Sequence, residues 1–112
     1  MGTTTVDLFR SGNAGGPRMD NVRDKDVEKF QKDSADWVKA KKGGISTFSV
    51  SSGQDKEWKA PKGAAYTADV YVHNDHGDHW SWAPAKDMKL TDFVGLMSSC
   101  NALFTAMPRV KP

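Results

Sequence analysis

The stretch VYVHNDHGDHWSWAP, residues 70–84, decides the fold more than any other part of the chain. Its centre, NDHGD, has turn chemistry, because Asn and Asp tolerate a positive φ angle and Gly77 adopts one without steric cost. β-branched and aromatic residues flank this centre in the runs 65–74 and 79–84. These runs predict two antiparallel strands joined by a tight turn, the second of which ends at Pro84.

Three other segments predict further strands. TTTVDLFRS, residues 3–11, is β-branched and aromatic, and an extended chain would place Leu8 and Arg10 on one face. GGISTFSV, residues 43–50, has two glycines followed by a strand-forming run, and KEWKAP, residues 56–61, is a shorter run of the same kind.

Two segments predict helices. DKDVEKFQKDSADWVKAKKGG, residues 24–44, carries a sparse apolar stripe at helical spacing, and a short turn with an irregular excursion is the alternative. The tail has a denser stripe, which predicts a helix over residues 91–106 with Thr91 as its N-cap and Pro108 as its stop. Cys100 lies on that stripe, so we expect a buried apolar thiol and not a reactive one.

Length and composition favour one domain over residues 1–112, of the α+β class. The net charge of +2 argues against a basic nucleic-acid clamp and against a polybasic membrane anchor. A single cysteine excludes an internal disulfide. The sequence shows neither an apolar run of the ~20 residues that a spanning helix needs nor a Sec-type signal at its start.

The three histidines at 73, 76 and 79 allow more than one interpretation. A metal-dependent nuclease would use His73, His76 and Asp75, but no second ligand pair or metal-binding motif accompanies them. The turn interpretation leaves His76 in solvent and places His79 at the head of the last long strand. We therefore predict no metal site and expect His79 to be the functional histidine.

Arg10 is a charged residue within an apolar strand, and such an arginine needs an anion. A carboxylate of the same chain and a phosphate of a ligand both satisfy that need. The GGISTFS segment offers close backbone approach at its glycines and hydroxyl groups at Ser46 and Thr47. An arginine strand, a glycine-rich loop and a Ser-Thr strand thus follow one another, an order that fits an anionic ligand and leaves a carboxylate of the chain as the alternative.

This order of segments resembles the arginine–serine class of ADP-ribosyltransferases. A closer resemblance is to small type VI secretion effector toxins with an ADP-ribosyltransferase-like fold, through LFR, PRMDNVR, GGISTFS, APKG and HWSWAPAKDMKLTDFVGLM in that order. The last segment, residues 79–97, is the most specific. The resemblance implies a small domain of split antiparallel sheets, with one or two helices including an amphipathic C-terminal one.

The resemblance also implies NAD as cofactor and a set of site residues. Arg10 matches the arginine that holds the NAD phosphates, and His79 matches the histidine of the cleft. The remaining matches are Ser46 and Thr47 in the pocket, Phe48 packed under its strand, and Arg18 as a second anion contact. One feature departs from the superfamily, because Glu57 is the last glutamate and none follows where its catalytic glutamate is expected.

The resemblance implies an antibacterial toxin that acts in the cytoplasm of a target cell and is delivered without a Sec signal. A cognate immunity protein would neutralise it in the producer's cytoplasm, and its acceptor macromolecule is unspecified, nucleic acid included. Two other classes of function stay open: a non-catalytic domain that binds an anionic partner through Arg10, and the metal-dependent nuclease.

Overall fold

A computed structural model describes residues 2–53 and 56–107. This part of the chain contains one α-helix and eleven short strands in three antiparallel sheets, which confirms the α+β class. In chain order the elements are β1 Gly2–Thr3, β2 Leu8–Ser11, β3 Val27–Lys32, β4 Ala35–Gly43, β5 Ile45–Phe48, β6 Glu57–Ala60, β7 Ala65–Tyr66, β8 Val70–His76, β9 His79–Pro84, β10 Met88–Lys89, α1 Leu90–Cys100 and β11 Thr105–Ala106.

The largest sheet has six strands in the order β11-β6-β2-β5-β9-β8. The predicted hairpin of residues 70–84 forms its β8–β9 edge, and β9 has the predicted bounds. The turn is tighter than NDHGD, because His76 pairs with His79 and leaves only Gly77 and Asp78 in the loop. Gly77 has a φ angle of +48°, the conformation that the sequence predicts for it.

Two predicted strands are each divided. Residues 65–74 split into β7 and β8, because a turn closes where the amide of Val70 donates to the carbonyl of Thr67 at 3.1 Å. Residues 3–11 split into β1, which pairs with β7, and β2, which pairs with β5 and β6. β1 and β7 form a separate two-stranded sheet, so the single strand predicted over residues 3–11 contributes to two sheets.

The helix predicted over residues 24–44 is wrong; a 3₁₀ turn forms at Asp24–Asp26, but the rest of the segment is regular and not an irregular excursion. The segment forms the β3–β4 hairpin, in which Phe30 lies opposite Trp37 with ring centroids 6.2 Å apart. Asp33 and Ser34 form its turn with φ angles of 52° and 63°, as a two-residue hairpin turn requires. The segment has too few apolar residues to stabilise an amphipathic helix, and two of them, Phe30 and Trp37, pack against each other across the hairpin instead.

The C-terminal helix is confirmed but is shorter than predicted. It begins at Leu90 and ends at Cys100, and a 3₁₀ turn and the strand β11 follow. The side chain of Asn101 accepts from the amide of Met19 at 2.8 Å, which ties the helix end to the N-terminal loop. Pro108, the predicted stop, lies outside the described residues.

Alternate residues of the six-stranded sheet build the core on one of its faces. Leu8, Ile45 and Trp82 are buried there, against Phe93 and Met97 of α1. Cys100 joins this core, and burial raises the pKa of its thiol to about 11, as expected for an unreactive cysteine. Within the described residues, no helix has the length and apolar character needed to cross a membrane.

Candidate functional site

The neighbouring strands β5 and β9 bring Ser46 and His79 together. Ser46 lies opposite Ser81 and Phe48 opposite His79, so all four side chains share the face of the sheet that is turned away from Trp82. The Nε2 atom of His79 lies 2.8 Å from the hydroxyl oxygen of Ser46. Two residues that the sequence singled out are therefore in hydrogen-bond contact.

Asp75 completes a chain of hydrogen bonds that runs through His79. A β-bulge between Asn74 and His76 sets both Asp75 and His76 opposite His79. One carboxylate oxygen of Asp75 lies 2.5 Å from Nδ1 of His79, and the other accepts from the hydroxyl of Ser81 at 3.0 Å. We call Asp75, His79 and Ser46, in this order, the relay.

The charge of Asp75 fixes the tautomer of His79. Burial acts to raise the pKa of Asp75, but the hydrogen bonds from His79 and Ser81 together hold that pKa below its ordinary value. An ionised carboxylate only accepts, so in the neutral form of His79 the proton is on Nδ1 and Nε2 presents its lone pair to the Ser46 hydroxyl. His79 can therefore accept the proton of Ser46, and 18% of its side chain is exposed.

A cleft of about 380 Å³ opens beside Ser46. The ring of Phe48 stands at its mouth, 45% exposed, and meets His79 edge-on with ring centroids 5.3 Å apart. Two acidic residues and one basic residue lie in its wall, so the cleft presents both signs of charge. Its lining includes Phe9, Arg10, Ser46, Phe48, Glu57 and Asp78.

Arg10 lines this cleft, but its guanidinium group is mostly committed to the fold. It donates to the carbonyl oxygens of Pro17 at 2.7 Å, Ser46 at 2.8 Å and Arg18 at 3.1 Å. Burial lowers the pKa of the guanidinium, and the charge of Asp26 acts in the opposite direction. Carbonyl dipoles thus take the place of the carboxylate that was one of the two candidate partners, and three of the five N–H groups of the guanidinium are engaged by the chain itself.

Glu57 is a cleft residue that the sequence did not identify as functional. It is buried at the start of β6 and accepts hydrogen bonds from the hydroxyls of Ser51 and Ser52 and from the amide of Ser52. Burial acts to raise the pKa of Glu57, but these bonds lower it below the ordinary value, which keeps the carboxylate charged. An acidic residue before Trp58 in a short strand-forming run was the available signal.

Three other predicted site residues are placed differently from what the resemblance implies. Thr47 is fully buried on the core face, where its hydroxyl donates to the carbonyl of Trp80, so it cannot share a pocket with Ser46. Phe48 does not pack under its strand but is exposed at the cleft. The half-exposed side chain of Arg18 lies 4.0 Å from Asp20, and it is the backbone carbonyl of Arg18 that reaches Arg10.

The histidine cluster assembles differently from the nuclease hypothesis. Ligand atoms of Asp75, His76 and His79 lie within 4.8 Å of one another, the one such group of metal-binding side chains in the described part of the chain. His73 stands apart and stacks on Tyr71 at 4.7 Å between ring centroids. The trio of His73, His76 and Asp75 that a nuclease was expected to use is therefore not formed.

Comparisons of the chain with protein-family models, with curated proteins and with solved structures found no match. The geometry of the cleft and of the relay is thus the basis for any functional conclusion.

Proposed function

We propose that this protein is a small antibacterial toxin that cleaves the nicotinamide–ribose bond of NAD and transfers ADP-ribose to an acceptor, in the manner of ADP-ribosyltransferases. The observation that supports it is the convergence of Arg10, Ser46 and Glu57 on one cleft, with Ser46 hydrogen-bonded to His79. These three residue types, in this chain order, are what the arginine–serine class requires. Glu57 supplies the glutamate that the later strands do not offer.

The charges of the cleft suit this reaction. Cleavage of the glycosidic bond sends the electron pair to the nicotinamide nitrogen and leaves positive charge on the ribose, which a nearby carboxylate stabilises. Glu57 and Asp78 provide that negative charge in the cleft wall. The N–H groups of Arg10 that do not bind backbone carbonyls offer charge-assisted hydrogen bonds to the diphosphate of NAD.

The relay gives Ser46 a defined polarity toward the substrate. With its proton directed at Nε2 of His79, the Ser46 oxygen presents lone pairs to the cleft and accepts a hydrogen bond from a ribose hydroxyl. The exposed ring of Phe48 offers a stacking surface for the nicotinamide or adenine base. In this proposal Ser46 and Phe48 position the ribose and the base, while Glu57 stabilises the charge that develops.

The biological setting is part of the same proposal. The protein acts in the cytoplasm of a target bacterium, and a cognate immunity protein blocks it in the producer. Phe48 and Val50 are exposed beside the cleft and would form the apolar centre of the surface that the immunity protein covers. The acceptor of ADP-ribose is a macromolecule of the target cell.

The test is release of nicotinamide from NAD by the purified protein, with and without bacterial lysate. We expect Ser46→Ala and Glu57→Gln each to reduce the rate by at least about 100-fold, the usual cost of losing a positioned catalytic group. Ser98→Ala, which removes an exposed serine of α1, is the matched control and should leave the rate unchanged. Failure of the folded wild-type protein to release nicotinamide under either condition would falsify the proposal.

A second candidate function is acyl transfer with Ser46 as the nucleophile. The relay favours it, because the serine, the histidine and the carboxylate have the order and the contacts of a catalytic triad. Against it, Ser46 lies within an interior strand and not at a strand-to-helix turn. Stoichiometric labelling of Ser46 by a fluorophosphonate, abolished in His79→Gln, would establish this candidate, and an unlabelled Ser46 would exclude a nucleophilic serine.

A further inference from the structure

The β-bulge of β8 places three metal-ligating groups at the surface end of the relay. Nδ1 of His79 and Nδ1 of His76 both approach the same carboxylate oxygen of Asp75, at 2.5 Å and 3.2 Å. The two imidazole rings lie nearly parallel, 5.0 Å between centroids and 17° between planes. Two nitrogens and one oxygen thus lie within 4.8 Å of one another.

We propose that Asp75, His76 and His79 bind a divalent transition-metal ion such as Zn²⁺, and that this ion switches the relay off. Two imidazoles and one carboxylate form a donor set that zinc accepts, with water as the fourth ligand. Zinc-bound atoms stand about 3.4 Å apart at ligand distances near 2.1 Å and tetrahedral angles. The distance of 3.2 Å between His76 and Asp75 is already close to this value. The distance of 2.5 Å between His79 and Asp75 must lengthen by about 1 Å.

The position of the cluster allows a metal ion to enter. His76 is 77% exposed, and Asp75 and His79 keep part of their side chains in contact with solvent. Within the described residues, the His76 side chain has one polar contact, the one to Asp75, so its ring can rotate toward the ion. Ser81 holds the second oxygen of Asp75, which leaves the first oxygen directed at the two histidines.

Metal binding at Nδ1 of His79 reverses the direction of the hydrogen bond to Ser46. Without metal, Nδ1 carries the proton and Nε2 accepts from the serine hydroxyl. An ion that binds at Nδ1 displaces the single N–H proton of the neutral ring to solvent, and Nε2 takes up a proton from solvent in exchange, so the ring stays neutral with its proton on Nε2. His79 then donates to Ser46 and can no longer accept its proton, and the Ser46 hydroxyl turns its hydrogen toward the cleft.

The metal site and the tautomer change are independent of the proposed function. Only the consequence for NAD cleavage, loss of the acceptor polarity of Ser46, rests on it. A protein without any NAD activity would therefore leave the metal and tautomer results as they stand.

The experiment is a calorimetric titration of the full chain with zinc chloride, followed by long-range ¹H–¹⁵N NMR of the histidine rings. We expect one saturable site per chain and a Kd raised by at least about tenfold in His76→Ala, since even the loss of a residue that merely supports a ligand costs that much. Asp69→Asn is the control, because it removes an exposed carboxylate paired with Lys86 at the base of the same strand.

The NMR spectra should show His79 protonated on Nδ1 without zinc and on Nε2 with zinc, with zinc attached at Nδ1. The ring of His73 serves as an internal reference and should not change. Absence of saturable binding, equal affinity in His76→Ala and wild type, or a His79 tautomer that zinc leaves unchanged would each overturn the proposal.

Discussion

Arg10→Ala should destabilise the fold strongly, because the guanidinium joins three separate pieces of backbone. Its acceptors are the carbonyls of Pro17 and Arg18 in the glycine-rich loop and that of Ser46 in β5. Truncation to alanine removes one donor from each of these oxygens, although the carbonyl of Arg18 keeps the amide of Asn21. The strand that carries Ser46 then loses its link to the loop.

The size of the effect follows from the burial of these bonds. A hydrogen bond from a charged donor contributes about 1.5–3 kcal/mol, and water readily replaces one that is exposed. The bonds to Pro17 and Ser46 are partly buried and the bond to Arg18 is exposed. We therefore include only the first two bonds in the expected loss of unfolding free energy. At the lower end of the range, the expected loss is about 3 kcal/mol, or a fall in Tm of roughly 12–15 °C for a domain of this size.

Urea denaturation followed by tryptophan fluorescence, together with a thermal melt, measures this loss. Arg18→Ala is the matched control, because its half-exposed side chain has only a 4.0 Å contact with Asp20, and we expect a change within about 0.5 kcal/mol. A loss below about 1 kcal/mol for Arg10→Ala would refute the structural role and indicate a guanidinium that is free for ligands. The result also decides whether inactivity of Arg10→Ala reports phosphate binding or unfolding.

Three further predictions concern stability. The folded-state pKa of Glu57 lies below its ordinary value of 4.5, so the carboxylate stabilises the fold above about pH 4.5, and this contribution is lost as pH falls through the folded-state pKa. Glu57→Gln should therefore lower the stability at pH 7 and make it depend less on pH in the acid range, as measured by urea titrations. An unchanged acid dependence would contradict the hydrogen bonds assigned to Glu57. Ser34→Gly should stabilise the protein by about 0.5–1 kcal/mol, because Ser34 has a φ angle of 63° that glycine adopts without strain. A lower Tm for this variant would count against the β3–β4 turn. Leu8→Ala should cost about 2–5 kcal/mol in the same denaturation assay, because the side chain is fully buried, and a cost below about 1 kcal/mol would argue against the packing of β2 on the core.

The elements that the sequence predicted correctly are those whose signals are local. The β8–β9 hairpin has its turn residues and both strands within fifteen consecutive positions, and the C-terminal helix has a dense apolar stripe. The helix predicted over residues 24–44 was wrong because its local signal is ambiguous: four apolar residues among many charged ones fit the spacing of a helix and also that of a strand. Cross-strand pairing of Phe30 with Trp37 decided between them.

Part of the candidate site was also accessible from the sequence. Arg10, Ser46 and His79 were identified from residue type and from the resemblance, and the structure places all three at or beside one cleft. Thr47 was misplaced because strand neighbours point to opposite faces, and the sequence alone does not say which face is buried. Glu57 was missed because its strand β6 reaches the cleft only by pairing with β2.

The sequence by itself determined the α+β class, the tight turn at Gly77, the amphipathic helix and the inert Cys100. All of these follow from periodicity, φ preferences and burial over a few neighbouring residues. Only the tertiary structure decided that His79 contacts both Asp75 and Ser46 and that Arg10 binds carbonyls. These contacts depend on a bulge and on the register between strands distant in the chain, and no local preference specifies either.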